Sequence, residues 1–220
     1  MLTPLSAHAC ERYPRGTTAS VQKRRIGDVT VSAIGLGAMP LSTKDPRPSR
    51  EEAVAVVHAA LDAGVNLIDT ADFYTAGESE RILGRLIAKA GNRERLVLTG
   101  KFTNTIDPSD PNASGNGRKH IVRALDASLK RLGTDYLDLY LLHTWDRITP
   151  VEEVVQTFDD LVRAGKVRYA GLSDTPAWYA ARAQTYAEAH ALTPMVNLQL
   201  PYALNNRGIE PEFAPMAQTL

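Results

Sequence analysis

The sequence lacks most of the features that announce a class of protein at once. It has one cysteine, Cys10, in 220 residues. No internal disulfide can form, so the fold does not depend on oxidation, and a reducing cytoplasm is the expected location. No run approaches the roughly 18 to 20 uninterrupted apolar residues of a membrane-spanning helix. Neither sign of charge is in excess, with 25 Lys and Arg against 25 Asp and Glu. Nothing electrostatic therefore draws the chain to nucleic acid or to an anionic membrane. The same neutrality removes one protection against self-association. The histidines have no metal-ligand spacing, and neither HxH nor CxxC occurs, so no metal is expected. There is no P-loop, and no serine or cysteine sits in a nucleophile elbow. Gly35, Gly37 and Pro40 in GLGAMP begin like a dinucleotide fingerprint. Proline stands where the third glycine belongs, which excludes a Rossmann reading.

What remains is an ordinary globular composition, 44% hydrophobic and 23% charged, able to bury a real core. Residues 1–20 mix Pro, Arg, Ser and Thr without periodicity and read as a disordered extension. Beyond Val21 short apolar runs alternate with amphipathic ones. Strands are predicted at residues 31–37, 65–69, 96–101, 137–143, 167–173 and 195–200. Helices are predicted at 49–63, with Ser49 as cap, and at 77–90, 118–132, 151–164, 176–189 and 211–219. Six strand-then-helix units without a linker point to one α/β domain with a parallel sheet. A doubly wound sheet and a TIM-type barrel both satisfy the pattern, and both place function at the C-terminal strand ends. The polar loop 103–117 is long enough to shape a site there.

Those strand ends carry the chemistry. The second strand ends in Asp69, with Tyr74 five residues on. The third ends in Lys101 and the fourth in His143. Each residue alone has a plainer reading: a turn former, a snorkelling lysine, a core histidine, a packed tyrosine. The coincidence of all four on one rim carries the weight. Charged groups at the ends of neighbouring apolar strands are expected to pair, because burying an unpaired charge costs several kcal/mol (about that order). An ammonium near a phenol is expected to lower its pKa from about 10. A histidine can orient a carbonyl oxygen. The set makes an acid aimed at a developing alkoxide, and a cofactor would have to bring hydride.

At these residues the sequence resembles the aldo-keto reductase family. The similar segments are GVNLIDTADFYTAGESERILGRLI from Gly64, LVLTGKF around Lys101 and YLLHTWD around His143. GKVRYAGLSD and VNLQLPYALNNR follow in order. The resemblance covers residues 21–220. It implies a (β/α)8 barrel of the TIM type, with about six of the eight β/α units present. It also implies NADPH, with NADH as the alternative, lying extended across the strand ends. The implied activity is reversible reduction of a small-molecule aldehyde or ketone. Tyr74 would be the general acid, Lys101 and Asp69 its assistants, and His143 the group that orients the carbonyl. Cofactor contacts would fall on Gly37, Ala38, Met39, Asp69, Ser173, Asp174 and Gln199. Many members have asparagine where Asp174 stands. Residues 25–31 would join a hairpin plugging the barrel bottom.

The family runs to roughly 300 residues, within the range of such barrels. Two units fewer would leave open sheet edges for self-association. Weak cofactor binding by the isolated chain is therefore expected. Two alternatives stay open: a cofactor-binding regulatory subunit or inactive fragment of the same family, and a Schiff-base aldolase using Lys101. Asp69 argues against the second by keeping the lysine protonated.

Overall fold

The structure is a computed structural model that describes residues 21–41 and 50–220. The expected N-terminal extension, Cys10 and the Ser49 cap lie outside those residues.

The chain opens with an antiparallel hairpin, β1 (Lys23–Ile26) and β2 (Val29–Ser32). Six parallel strands then alternate with six helices. The strands are β3 (Leu36–Gly37), β4 (Leu67–Asp69), β5 (Val97–Phe102), β6 (Leu137–Leu142), β7 (Val167–Ser173) and β8 (Met195–Gln199). The helices are α1 (Arg50–Asp62), α2 (Glu78–Ala90), α3 (Arg118–Leu132), α4 (Val151–Arg163), α5 (Ala177–Ala189) and α6 (Phe213–Thr219). In the sheet the strands stand in chain order, β3 to β8. Each one is joined to the next by a helical crossover, which is the arrangement of a partial (β/α)8 barrel.

The sheet curls. Three strands separate β4 from β8, so a flat sheet would hold them about 19 Å apart at ordinary strand spacing. Yet the Gln199 Nε2 on β8 donates to Asp69 Oδ2 on β4 at 3.0 Å. Curling gives each strand an inside and an outside. Val97, Leu139 and Leu141 pack inward with Val31 of the hairpin, joined by Ile26, Leu67 and Val196. Leu98, Phe102, Tyr140 and Leu142 face the helices, where Ile82, Leu125 and Phe158 meet them. The hairpin residues are thus seated against the inner face, as a bottom plug would be.

One predicted strand is corrected. Residues 31–37 do not form a single strand but divide between β2 and the two-residue β3. The physical reason is Ser32. Its backbone N–H donates to Asn66 Oδ1 at 2.6 Å, and its hydroxyl donates to the Ile34 carbonyl at 2.7 Å while accepting from Asn66 N–H at 3.1 Å. These bonds end the hairpin and turn the chain into the barrel. Elsewhere local signals held the bounds. α3 stops at Gly133, whose φ of 66° suits an αL cap. Gly84 lets α2 approach α3: a Cβ there would lie 2.6 Å from the Leu132 carbonyl oxygen. Among the described residues no helix is long and apolar enough to cross a membrane.

Candidate active site

Lys101 stands apart in its burial. Its side chain is 1% exposed, on the inward alternation of β5 with Val97 and Thr99. Burying an ammonium so completely requires an anion and acceptors. Asp69, at the end of the adjacent β4, supplies the anion at 2.5 Å, and the Thr70 carbonyl accepts a second N–H at 3.1 Å. Gln199 holds the other Asp69 oxygen. Asp69 is therefore clamped from two strands, and the pair is rigid.

Tyr74 and His143 stand over this pair. The Lys101 ammonium lies 5.3 Å from the Tyr74 ring centroid. The Tyr74 and His143 rings meet edge to face at 5.8 Å, and Phe73 touches both, at 5.1 and 5.2 Å. Thr75 and Ala76, which follow the tyrosine, have left-handed φ angles of 49° and 55°. Backbone held in that region without glycine is costly, and it persists only where surroundings fix it. Here the Thr75 hydroxyl is tied to the Leu41 carbonyl at 3.1 Å.

The electrostatics correct one expectation. Lys101 does not lower the phenol. Tyr74 is pushed up to about 12, first by burial and then by the charges of Asp69 and Asp174. The reason is that Asp69 neutralises the ammonium, so the pair offers the phenol little net positive field. Burial lowers the pKa of Lys101, with Asp69 opposing. His143 falls to about 4, through burial first and then Lys101, with Asp69 opposing. At neutral pH the phenol is protonated and the imidazole neutral. The His143 Nδ1 is buried without a hydrogen-bond partner.

The other sequence-predicted residues fall in different places. Asp69, Gln199 and Gly37 line an inner cavity of about 380 Å³, with Thr99 and Asn197. Ser173 ends β7 and is buried; Asp174 follows it with φ 42°, its N–H donating to the Gln199 carbonyl at 3.4 Å. Ala38 is fully buried, donates its N–H to the Asp69 carbonyl at 2.8 Å and accepts from the Ser79 hydroxyl at 2.7 Å. It acts as packing beneath the rim. Met39 is 62% exposed and outside that cavity.

Two groups escaped the sequence reading. Asn116, fully buried at the end of the polar loop, accepts from the Thr103 hydroxyl at 2.7 Å and donates to the Thr144 carbonyl at 3.0 Å. The Thr103 oxygen also accepts the His143 N–H at 3.3 Å. The long loop thus steadies the histidine. The second group is Asp72, Glu80 and Arg131. Glu80 Oε2 pairs with Arg131 Nε at 2.5 Å, while Glu80 Oε1 and Asp72 Oδ1 are buried without hydrogen-bond partners. Asp72 sits between Asp69 and Tyr74, its N–H donating to the Lys101 carbonyl at 3.1 Å. Its carboxyl is raised to about 7, by burial first and then by Glu80, with Arg131 opposing.

A carboxyl raised in the folded state favours folding most below its ordinary value, and that advantage is lost as pH rises toward 7. Asp72→Asn is therefore expected to stabilise the protein at pH 8 and to change little at pH 4. The difference is on the order of 2–4 kcal/mol, from about 1.4 kcal/mol per pKa unit. Thermal melts at the two pH values check this, and an equal shift at both contradicts it.

Comparison with known proteins settles the family. The sequence model described as the Aldo/keto reductase family matches residues 33–220. The chain belongs to the aldo/keto reductase family. A norsolorinic acid reductase of Emericella nidulans is 39% identical over 203 residues, 88% of this chain and 52% of that protein. An aryl-alcohol dehydrogenase of Pestalotiopsis microspora is 35% identical over 198 residues, 86% of this chain and 52% of that protein. A Schizosaccharomyces pombe aldo-keto reductase whose name specifies NADP(+) is 37% identical over 199 residues, covering 90% and 57%. The chain spans about half the length of the curated relatives it matches.

Proposed function

We propose that this aldo/keto reductase chain carries the proton-delivery site of a nicotinamide-dependent enzyme that reduces aldehydes or ketones to alcohols. The observation that carries the reading is the Lys101–Asp69 pair, with its lysine 1% exposed at the strand ends directly beneath Tyr74 and His143. A buried ion pair is weak as a stabilising device, since an apolar pair of equal volume does as well or better. Its retention under two polar rings favours chemistry.

The donor set suits a nicotinamide carboxamide. Gln199 spends its N–H on Asp69, while its Oε1 accepts no hydrogen bond among the described residues. Gln199, Ser173 and Asp174 would hold the amide, and the adjacent inner cavity leaves room beside Asp69. When bound, the reduced nicotinamide supplies hydride to the carbonyl carbon. The chain's own residues do the rest. His143, neutral at pH 7, orients the carbonyl oxygen. The Tyr74 phenol keeps its proton up to about pH 12 and gives it to the oxygen as negative charge develops there. The Lys101 ammonium, held in place by Asp69, lies beneath the ring from which the proton leaves. NADPH is preferred to NADH on the name of the fission-yeast relative.

Borohydride trapping discriminates the reading from an aldolase. The expected result is alcohol formed only when reduced nicotinamide is present, with no substrate mass added to the protein after borohydride. A covalent adduct on Lys101, formed without nicotinamide, contradicts the proposal.

A further inference from the structure

Thr103 follows the end of β5, two residues beyond Lys101, and its φ is 110°. A β-branched residue avoids that region, and such backbone persists only where its surroundings impose it. The surroundings here are hydrogen bonds. The Thr103 carbonyl accepts the Gly115 N–H at 2.8 Å, which closes the neck of the long polar loop. The Thr103 hydroxyl donates to Asn116 Oδ1 at 2.7 Å and accepts the N–H groups of His143 and Thr144 at 3.3 and 3.5 Å. Asn116 completes the circuit. Its amide donates to the Thr144 carbonyl at 3.0 Å, and its backbone N–H donates to Asp146 Oδ2 at 2.8 Å.

The circuit meets the chain where the sheet stops holding it. β6 ends at Leu142, whose partners are Phe102 and Leu172. Beyond it the His143 N–H is shared between the Phe102 carbonyl at 3.2 Å and the Thr103 hydroxyl. The imidazole has little else to fix it. Its Nδ1 is buried without a hydrogen-bond partner, and its neighbours Phe73 and Tyr74 touch it only as rings. Where the ring stands therefore follows from where its backbone stands. Capping a strand end is the plainer role for these bonds. It does not call for a strained threonine, since Thr144 is exposed and water would serve its backbone. The strain has a use if the hydroxyl must sit at one point.

We infer that Thr103 and Asn116 are positioning residues that act through His143 and set its imidazole beside Tyr74. The inference rests on the carbonyl-reductase reading for what the imidazole does, and on the hydrogen bonds alone for how it is held.

The test uses benzaldehyde and NADPH with the purified protein. Asn116→Ala is expected to lower kcat by about 10- to 100-fold, the scale of a small misplacement of a reacting group. KM for NADPH should stay within about twofold. In a His143→Ala background the same substitution is expected to cost less than about twofold, because its effect passes through the ring already removed. Thr103→Gly removes the hydroxyl while easing the backbone, since glycine accepts this φ. It should lose kcat as Asn116→Ala does, whereas Thr103→Ser, which keeps the hydroxyl, should retain it. This pair carries the test if Asn116→Ala does not fold. The imidazole NMR signal of His143, assigned by its loss in His143→Ala, supplies a readout independent of turnover. It should move in Asn116→Ala and Thr103→Gly but not in Thr103→Ser, while the signals of His58 and His190 stay in place. If no aldehyde is reduced but the signal moves in this pattern, the positioning stands and the reductase reading falls. Additive losses in the His143→Ala background, or a His143 signal unmoved by Asn116→Ala and Thr103→Gly, overturn the inference.

Discussion

Tyr74→Phe is expected to lower kcat for carbonyl reduction by about 10²–10⁴-fold, the range for removal of a general acid. KM is expected to change little, because the hydroxyl acts on charge that develops after binding. The fold should survive. The ring keeps its contacts with Phe73 and His143, and the strained turn beyond it is held by Thr75 rather than by the phenol. The same variant separates an enzyme from a cofactor-binding subunit, since a subunit that only senses nicotinamide keeps its function without the hydroxyl. Steady-state kinetics at saturating nicotinamide make the measurement. A variant that retains more than a tenth of wild-type kcat would place the acid elsewhere, with His143 the next group to examine.

The second large effect concerns stability. Arg131→Met is expected to destabilise the protein by about 3–5 kcal/mol at neutral pH, the cost of removing one partner from a buried pair. The arginine is the cation between two carboxyls: Glu80, fully buried at 2.5 Å, and Asp72, whose raised pKa Arg131 opposes. Its side chain also fills the space above Gly77, where a Cβ would come within 2.8 Å of it, so the turn after Tyr74 loses a support. The pH dependence follows from the signs. Burial raises the Glu80 pKa, and Arg131 counters that rise. Without the arginine both carboxyls are raised further, and their penalty is present only when they ionise. The deficit is therefore expected to shrink as pH falls toward 4 and both groups take up protons in the folded and unfolded states alike. Denaturant unfolding at pH 7 and pH 4.5 measures it. A deficit that is constant with pH would mean that lost packing, not unpaired charge, is the cost.

The sequence conveyed the fold where signals were local. Helix α3 runs over residues 118–132 as its period and Gly133 foretell, and β7 runs over 167–173. The hydrogen bond that reveals the curl of the sheet joins residues 130 positions apart, and no local pattern reports such a distance. The break at Ser32 depends on Asn66, 34 residues away. The site divides the same way. Lys101 and Asp69 were legible because strand ends collect ionisable groups and two buried charges must meet. The direction of the Tyr74 shift was not, because it depends on how completely one carboxylate cancels one ammonium in space. Asn116 looked like any residue of a polar loop. Glu80 and Arg131, 51 residues apart, looked like the solvated faces of two helices until packing brought those faces together.

The central claim is that Tyr74, Lys101, Asp69 and His143 deliver a proton to a carbonyl reduced by nicotinamide hydride. Its most direct test is isotopic transfer. The purified protein is incubated with an aryl aldehyde and NADPH carrying two deuterium atoms at C4, and the alcohol is read by mass spectrometry and NMR. The expected product carries one deuterium on the former carbonyl carbon, none of it drawn from solvent, and its rate of formation collapses in Tyr74→Phe. Alcohol without deuterium at that carbon, or label incorporated at the same rate by wild type and Tyr74→Phe, would contradict the claim.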